Sequence, residues 1–405
     1  MVEKQDGALT GYRILDLTDS RGSYCTRLLA DLGADVIKIE PPIGDCGRGM
    51  PPFFNDERHP EKSLYFIYRN ANKRSITLNI DSAKGKEILQ KLVKSADVLV
   101  ENFEPDYMFN VGLDYGTLKK HNPRLIMASI TEFGSDGPYK NYKGSNIVDF
   151  ALSGVMITSG PPKKAPCLLP GTPAHDAASM IADIEILAAL YCRDAIGKGQ
   201  KIDVSVHEAA RTGLYPWSVP IYSHSLTPDG PLPAPETRLA DSIYPVYPCK
   251  DGYIRVIALT PRQWQALVRV LGSPEVLLMP EWENFISRIA NAQDLYAIML
   301  EFTTKYTQIE LFESGFREGV PIAPIYDIPG FVNSSDANAR GFFVEVDHPV
   351  AGKGKYPGPP YKWTVTQPSV KRPAPCLGQH NEEVYGKELG LSKDELMTLR
   401  NAGVI

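Results

Sequence analysis

The first forty residues limit the possible folds more than any other stretch. "YRILDL" (12–17) is a short apolar run of strand type, and "DSRG" (19–22) is a turn. "SYCTRLLADLG" (23–33) has helical spacing and stops at Gly33, and "ADVIKIE" (34–40) is a second strand. A strand, a turn, a helix and a strand in that order form a β-turn-α-β unit, which winds right-handed into a parallel sheet. The pattern continues through "SITLNI" (75–80), the amphipathic "SAKGKEILQKLVKSA" (82–96), "DVLVEN" (97–102) and "RLIMASI" (124–130). Strands alternating with helices predict an α/β sheet covered on both faces.

After a mostly apolar helix that begins near residue 176, "GKGQKIDVSVHEAA" (197–210) reads as a strand feeding another helix. The texture then changes to "YPWSVPIYSHSLTPDGPLPAPETRLADSIYPVYP" (215–248), dense in Pro, Tyr and Ser, which reads as an extended linker. "GYIRVIAL", "RQWQALVRVLG" and "AQDLYAIMLEFTTKY" suggest a smaller α/β segment. "GFFVEVDHPVAGKGKYPGPPYKW" looks like a second linker with a hairpin, and residues 380–405 read as two short helices. The expected division is a large Rossmann-like domain over 1–210, a linker over 211–245 and a small domain over 246–325. Residues 326–405 then form the return linker and the rest of the large domain.

The 405 residues are 43% hydrophobic and 22% charged, enough for an ample core in one or two domains. A net charge of -5 with no long run of one sign argues against a nucleic-acid surface. No apolar stretch approaches the roughly 18 residues that cross a bilayer, and the N-terminus lacks the apolar core of a signal peptide. The six cysteines are scattered with no metal spacing, as free thiols in a reducing cytoplasm would be.

Glu40 ends the second strand where a dinucleotide fold puts an acid on the ribose. The turn "TDSRGSYCT" holds only Gly22, however, so the glycine cradle for a pyrophosphate is missing and NAD or FAD is not expected. "GDCGRGMPP" (44–52) places Arg48 in a glycine-rich loop just past a strand's carboxyl end, as a fork for a phosphate or as a solvated loop arginine. "ENFEP" (101–105) ends a strand with Asn102 and Phe103, an amide beside an aromatic face that suits a flat base or simple core packing. His175, His207, Glu208 and His380 fall in no Ser/His/Asp or metal-ligand arrangement. In "LPGTPAHDAASM" (169–180), Asp176 opens the apolar helix. An aspartate there is either a cap, worth roughly 1 kcal/mol, or a working group, and composition and spacing alone favour the cap.

Taken together, these blocks resemble the class III CoA-transferases, the family of formyl-CoA and carnitine CoA-transferases. The matching stretches include "LLADLGADVIKIEPPIGD", "NANKRSITLNIDSAKGKEIL", "ADVLVENFEP", "GLDYGTLKKHNPRLIMASITEFGSDGPY", "AALYCRDAIGKGQKIDVSVHEA" and "LGQHNEEVYGKELGLSKDEL". The resemblance implies an open-ring chain interlocked with a partner chain, either identical or homologous. It makes Asp176 the nucleophile, places Asn102 and Phe103 at the CoA adenine, Arg48 near the phosphates and Lys143 against CoA. It implies coenzyme A and acyl-CoA as substrates, with no tightly bound cofactor and no metal.

The chain departs from the formyl-CoA branch at three places. "TDSRG" stands where that branch has a glutamine in its first turn. "LADSIYPVYP" shows nothing like its glycine-rich lid, and Asn146 takes an acidic position. These differences point to an acceptor bulkier than formate or oxalate, such as a substituted succinate or an aromatic acid, with succinyl-CoA as a donor. Two alternatives keep the fold: an acyl-CoA racemase using His175 as base, and a non-catalytic subunit of a heteromeric transferase.

Overall fold

Parallel strands buried on both faces must be apolar runs, and five such runs of this chain form one sheet with a sixth, half-exposed strand at its edge. The computed structural model describes residues 7–160, 164–214 and 245–405. They fall into two compact units, one drawn from 1–155, 169–219 and 340–405 and the other from 156–168 and 220–339. Most of the expected linker 211–245 lies outside the described residues.

The larger unit holds β1 (Arg13–Asp16), β2 (Asp35–Glu40), β3 (Arg74–Thr77), β4 (Val98–Glu101), β5 (Ile126–Thr131) and β6 (Lys201–Ser205). All neighbouring pairs are parallel, in the order β3-β2-β1-β4-β5-β6. This is the doubly wound Rossmann-like order, with its direction of winding reversing between β1 and β4. Its helices are α1 (Ser23–Asp31), α2 (Leu64–Asn70), α3 (Ala83–Val93), α4 (Tyr107–Asn110), α5 (Tyr115–Leu118), α6 (Asn146–Leu152), α7 (Pro173–Ile196) and α8 (Val206–Leu214).

Alternation along each strand divides the core into two layers. Leu15, Ile37, Leu99 and Met127 point to the side covered by α3 and the C-terminal residues Leu396 and Leu399. Ile14, Val36, Val98 and Ile126 point to the side covered by α1 and α7. α1 ends as expected at Gly33, whose φ of +100° and close approach to Gly7 exclude a side chain.

Buried charges fix the carboxyl end of β1. Asp16 is fully buried and accepts from the Thr18 amide (2.9 Å), the Thr18 and Thr26 hydroxyls (2.6 and 2.7 Å) and Lys73 Nζ (2.9 Å). Burial alone would raise its pKa, but Lys73, Lys38 and Thr18 outweigh that and hold it far below the ordinary carboxylate range. Lys38, opposite Asp16 on β2, donates to Thr18 O (2.6 Å) and pairs with Asp45 (2.7 Å). The turn that follows β1 is thus held from below by ions that water does not reach.

The C-terminal part of this unit contains the expected hairpin, β10 (Phe343–His348) with β11 (Gly352–Pro357). The first of the two expected terminal helices is instead a π-helical turn, Glu382–Glu388, and the second is an α-helix, Lys393–Asn401. In the π turn, buried Tyr385 donates its hydroxyl to Thr77 O at 2.7 Å. The smaller unit has an antiparallel sheet of β7 (Val246–Cys249), β8 (Gly252–Val256) and β9 (Ile322–Pro324). Helices pack on it around Trp264, Leu295 and Leu311. Among the described residues no helix is long and apolar enough to cross a membrane.

Replacing Asp16 by Ala strands Lys73 and leaves Lys38 one counter-ion short. Urea unfolding is expected to show a loss of about 3–5 kcal/mol. The exposed pair Lys84–Glu87 (2.8 Å) supplies the control, since Lys84→Ala should leave the urea midpoint where it is.

Candidate active site

Open α/β sheets bind ligands beyond the carboxyl ends of their strands, where the winding reverses. Here that point lies between the turn after β1 and the end of β4. Asn102, just past β4, accepts from the Asp19 amide (2.8 Å) and donates its own amide to Asp19 Oδ1 (2.5 Å). Arg21 reaches across the same gap, donating to Asp19 Oδ2 (2.9 Å), Asn102 O (3.1 Å) and Glu132 Oε1 at the end of β5 (3.4 Å). Asp19 is buried enough to raise its pKa, yet its bonds to Arg21 and that residue's charge pull it below the ordinary value.

A cleft of about 420 Å³ opens over this point. Leu17, Ile39, Leu78 and Ile80 line it, with Phe103 on one wall. The Phe103 ring lies 4.5 Å from that of Tyr107, whose hydroxyl donates to Asp81 at 2.7 Å. A smaller hollow shares Arg21, Asn102 and Phe103 with the cleft and adds Lys140 and Lys143. Lys143 is 81% exposed and, among the described residues, is held by a surface pair with Glu104 (2.7 Å), so it can turn toward a ligand at little cost.

Arg48 is placed differently from the expectation. It is buried, not facing solvent in its glycine-rich loop. Its guanidinium donates twice to Glu40 (2.6 and 2.8 Å), once to Glu61 (2.6 Å) and once to Pro375 O (3.1 Å), and lies 3.9 Å over the Phe66 ring. With four of its five N–H groups spent this way, Arg48 braces the loop, while Gly44, Asp45 and Cys46 of that loop line the cleft. Glu40, the would-be ribose acid, is the other half of this brace.

Asp176 lies in the first turn of α7 but caps nothing. Among the described residues no backbone N–H donates to its side chain; the Ala174 amide is taken at 3.0 Å by Asn146 Oδ1, and Thr172 provides no side-chain cap. The carboxylate is 32% exposed and meets Arg69 Nη2 at 2.5 Å. That contact is an ion pair, and among the described residues no donor hydrogen-bonds to Oδ1. Arg69 also donates to the Thr172 hydroxyl (3.0 Å) and stacks on Tyr65 (4.4 Å), whose hydroxyl donates to Ser20 O (3.0 Å). Burial raises the Tyr65 pKa, keeping that hydroxyl neutral. His175, the preceding residue, turns away from Asp176's exposed side to meet Glu132 at 3.2 Å.

Asp176, Asn102 and Phe103 thus belong to one edge of one sheet, linked through Ser20, Arg21 and Glu132. Arg21, Tyr65, Arg69 and Glu132 were not picked out from the sequence. Arg21 and Glu132 carried a usable signal, since each follows a predicted strand at its carboxyl end. Tyr65 and Arg69 sit on a helix of seven residues, too short to display a period.

Residues 9–381 match the model of CoA-transferase family III. The formyl-CoA:oxalate CoA-transferase of Streptomyces coelicolor is 35% identical, over 98% of this chain and 99% of its own. The succinyl-CoA:mesaconate CoA-transferase of Haloarcula marismortui is 34% identical, over 96% and 99%. A subunit of the succinyl-CoA:(R)-benzylsuccinate CoA-transferase of Thauera aromatica is 30% identical, over 97% of each chain. Among solved structures, a CAIB/BAIF family protein from Brucella suis superposes with a TM-score of 0.82 at 28% identity, covering 95% of this chain and all of that one. The chain belongs to CoA-transferase family III and is an enzyme that transfers CoA.

Arg48→Met removes the cation between the buried Glu40 and the partly buried Glu61, and should cost about 3–5 kcal/mol in urea unfolding. A variant that instead keeps its stability would return Arg48 to the ligand.

Proposed function

We propose that this member of CoA-transferase family III moves CoA from an acyl-CoA donor to a carboxylic acid through a covalent bond to Asp176. The observation that carries this reading is a carboxylate in the first turn of α7 that caps nothing, stays partly exposed and is faced by a cation. Such a group is ionised near neutral pH without help, and it can form an acyl intermediate.

One Asp176 oxygen attacks the thioester carbonyl of the donor; the C–S bond breaks, giving a mixed anhydride and CoA thiolate. The thiolate attacks the aspartyl carbonyl of that anhydride, releasing the donor acid as its carboxylate and leaving an aspartyl-CoA thioester. The acceptor carboxylate then attacks this thioester, re-forming an anhydride and freeing the thiolate. Attack of the thiolate on the acceptor's carbonyl gives the new acyl-CoA and restores Asp176. Each step takes in one anion and expels another, so no proton has to move. Arg69 answers the remaining difficulty, that anions approach an anion, by holding a positive charge against Asp176.

Phe103 and Tyr107 offer an aromatic wall for the adenine of CoA, with Asn102 fixing the backbone beneath it. Lys143 can leave its surface pair with Glu104 to meet an anionic part of the same ligand, and Arg48 acts through the loop it braces. The acceptor is a carboxylic acid bulkier than formate or oxalate, and succinyl-CoA is a donor. The missing first-turn glutamine supports this, as do relatives whose names pair succinyl-CoA with mesaconate and benzylsuccinate. The enzyme works in the cytoplasm, in an interlocked pair with itself or with a homologous chain. Against an acyl-CoA racemase, the one histidine beside Asp176 is buried and committed to Glu132.

Asp176→Ala should lower CoA transfer at least about 1,000-fold while CoA still binds. Full turnover by that variant would refute the covalent route. Phe103→Ala should raise KM for the CoA ester about tenfold, the worth of one stacked base. Oxalate and mesaconate assayed side by side as acceptors for succinyl-CoA test the substrate reading, which fails if oxalate is preferred.

A further inference from the structure

Asp149, on α6, is a fully buried carboxylate with no ion-pair partner among the described residues. Neither of its oxygens receives a hydrogen bond from a donor among the described residues. It points into a cluster with Glu132 and His175, in which one polar atom of each residue lies within 4.8 Å of those of the other two. Glu132 is already matched, by Arg21 at 3.4 Å on one oxygen and by His175 Nε2 at 3.2 Å on the other. A second bare anion beside it, away from water, is strongly unfavourable, and a proton removes it.

We propose that Asp149 and Glu132 share one proton, and that this pair, with His175 held on the same Glu132 carboxylate, is a latch that positions the first turn of α7. In the shared state the Asp149 O–H donates to Glu132. The latch matters for turnover because Asp176 follows His175 directly, and that consequence alone rests on the nucleophile reading. α6 makes a second attachment to the same turn, since Asn146, its first residue, takes the Ala174 amide.

The latch has a sense of pH. Burial, followed by the neighbouring Glu132 charge, pushes Asp149 up to about 8. Glu132 is also partly buried, yet His175 holds it below its ordinary value. α6 packs against α7, which carries His175 and Asp176, and against α8, which carries His207, Glu208 and Arg211, while the first turn carries Arg21, whose charge draws Asp149 down. The folded chain keeps a proton that the unfolded chain releases above 3.8, so this group's contribution to stability falls as pH rises from 3.8 to about 8. Beyond that, two like charges face each other and α6 is pushed away from Glu132.

Asp149→Asn keeps the shape and a donor while needing no proton. Infrared spectra of the full-length protein should show a protonated-carboxyl C=O band that titrates away on the alkaline side and is absent from the variant. The melting temperature of Asp149→Asn relative to wild type should rise between about pH 5 and about pH 8. Wild-type turnover should fall about tenfold from about pH 7 to about pH 9, and that of the variant less than about twofold. Should Asp149→Asn not fold, Glu132→Gln must move the loss of the band to lower pH, because it removes the neighbouring charge. A band missing from wild type, or unchanged in Asp149→Asn, overturns the shared proton. So does a Zn²⁺ or Mn²⁺ titration that stabilises wild type and not the variant, which would make the cluster a cation site. If the band behaves as expected while Asp176→Ala still turns over, the nucleophile reading fails and the shared proton stands.

Discussion

One guanidinium ties together the strand ends on which this site is built. A parallel sheet delivers the carboxyl ends of β1, β4 and β5 to one edge, but the loops leaving them have no ladder hydrogen bonds to hold them. Arg21 supplies the missing connection through Asp19, the Asn102 carbonyl and Glu132. Planar and permanently charged, it makes contacts in three directions that a lysine would not match. The turn that carries Arg21 is itself seated on the buried Asp16–Lys73 and Lys38–Asp45 pairs. A buried ionic layer therefore fixes the turn, and the turn fixes both the cleft wall and, through Glu132, the helix that carries Asp176.

The proposed nucleophile sits where helix chemistry and catalysis make opposing demands. A first-turn aspartate is ordinarily consumed by the backbone N–H groups around it. In this chain Asn146 satisfies the Ala174 amide from a neighbouring helix, and His175 is drawn off toward Glu132. Asp176 is left with an ionic partner, Arg69, and an open side. Because a side chain from α6 does the capping, the carboxylate keeps the helix's favourable field without spending its oxygens on it.

The alternating order of strands and helices was legible because buried parallel strands are apolar runs with turn residues between them. Gly33 marks the end of α1 for a steric reason that a sequence displays directly. Asp176 was visible as a position but ambiguous as a role: a cap and a nucleophile share that first turn, and the placement of Asn146 and Arg69 argues against the cap. Arg48 had the right residue type in the right loop, yet its partners include Glu61 and Pro375, which tertiary folding alone brings to it. Asp149 and Glu132 were invisible for the same cause, since acids 17 residues apart show no periodicity and acquire meaning by meeting inside the protein. α2 escaped, and Glu382–Glu388 was legible as a helix but not as a π turn, because one or two helical turns offer too few residues to reveal a period.

The central claim is that a single carboxyl group is joined to sulfur during turnover. Mass spectrometry after brief incubation with succinyl-CoA, quenched with hydroxylamine or borohydride and followed by proteolysis, reads this directly. The account predicts a hydroxamate or reduced alcohol on Asp176 and on no other acid. An unmodified Asp176 peptide from protein that is visibly transferring CoA, or a label on a different side chain, would contradict it.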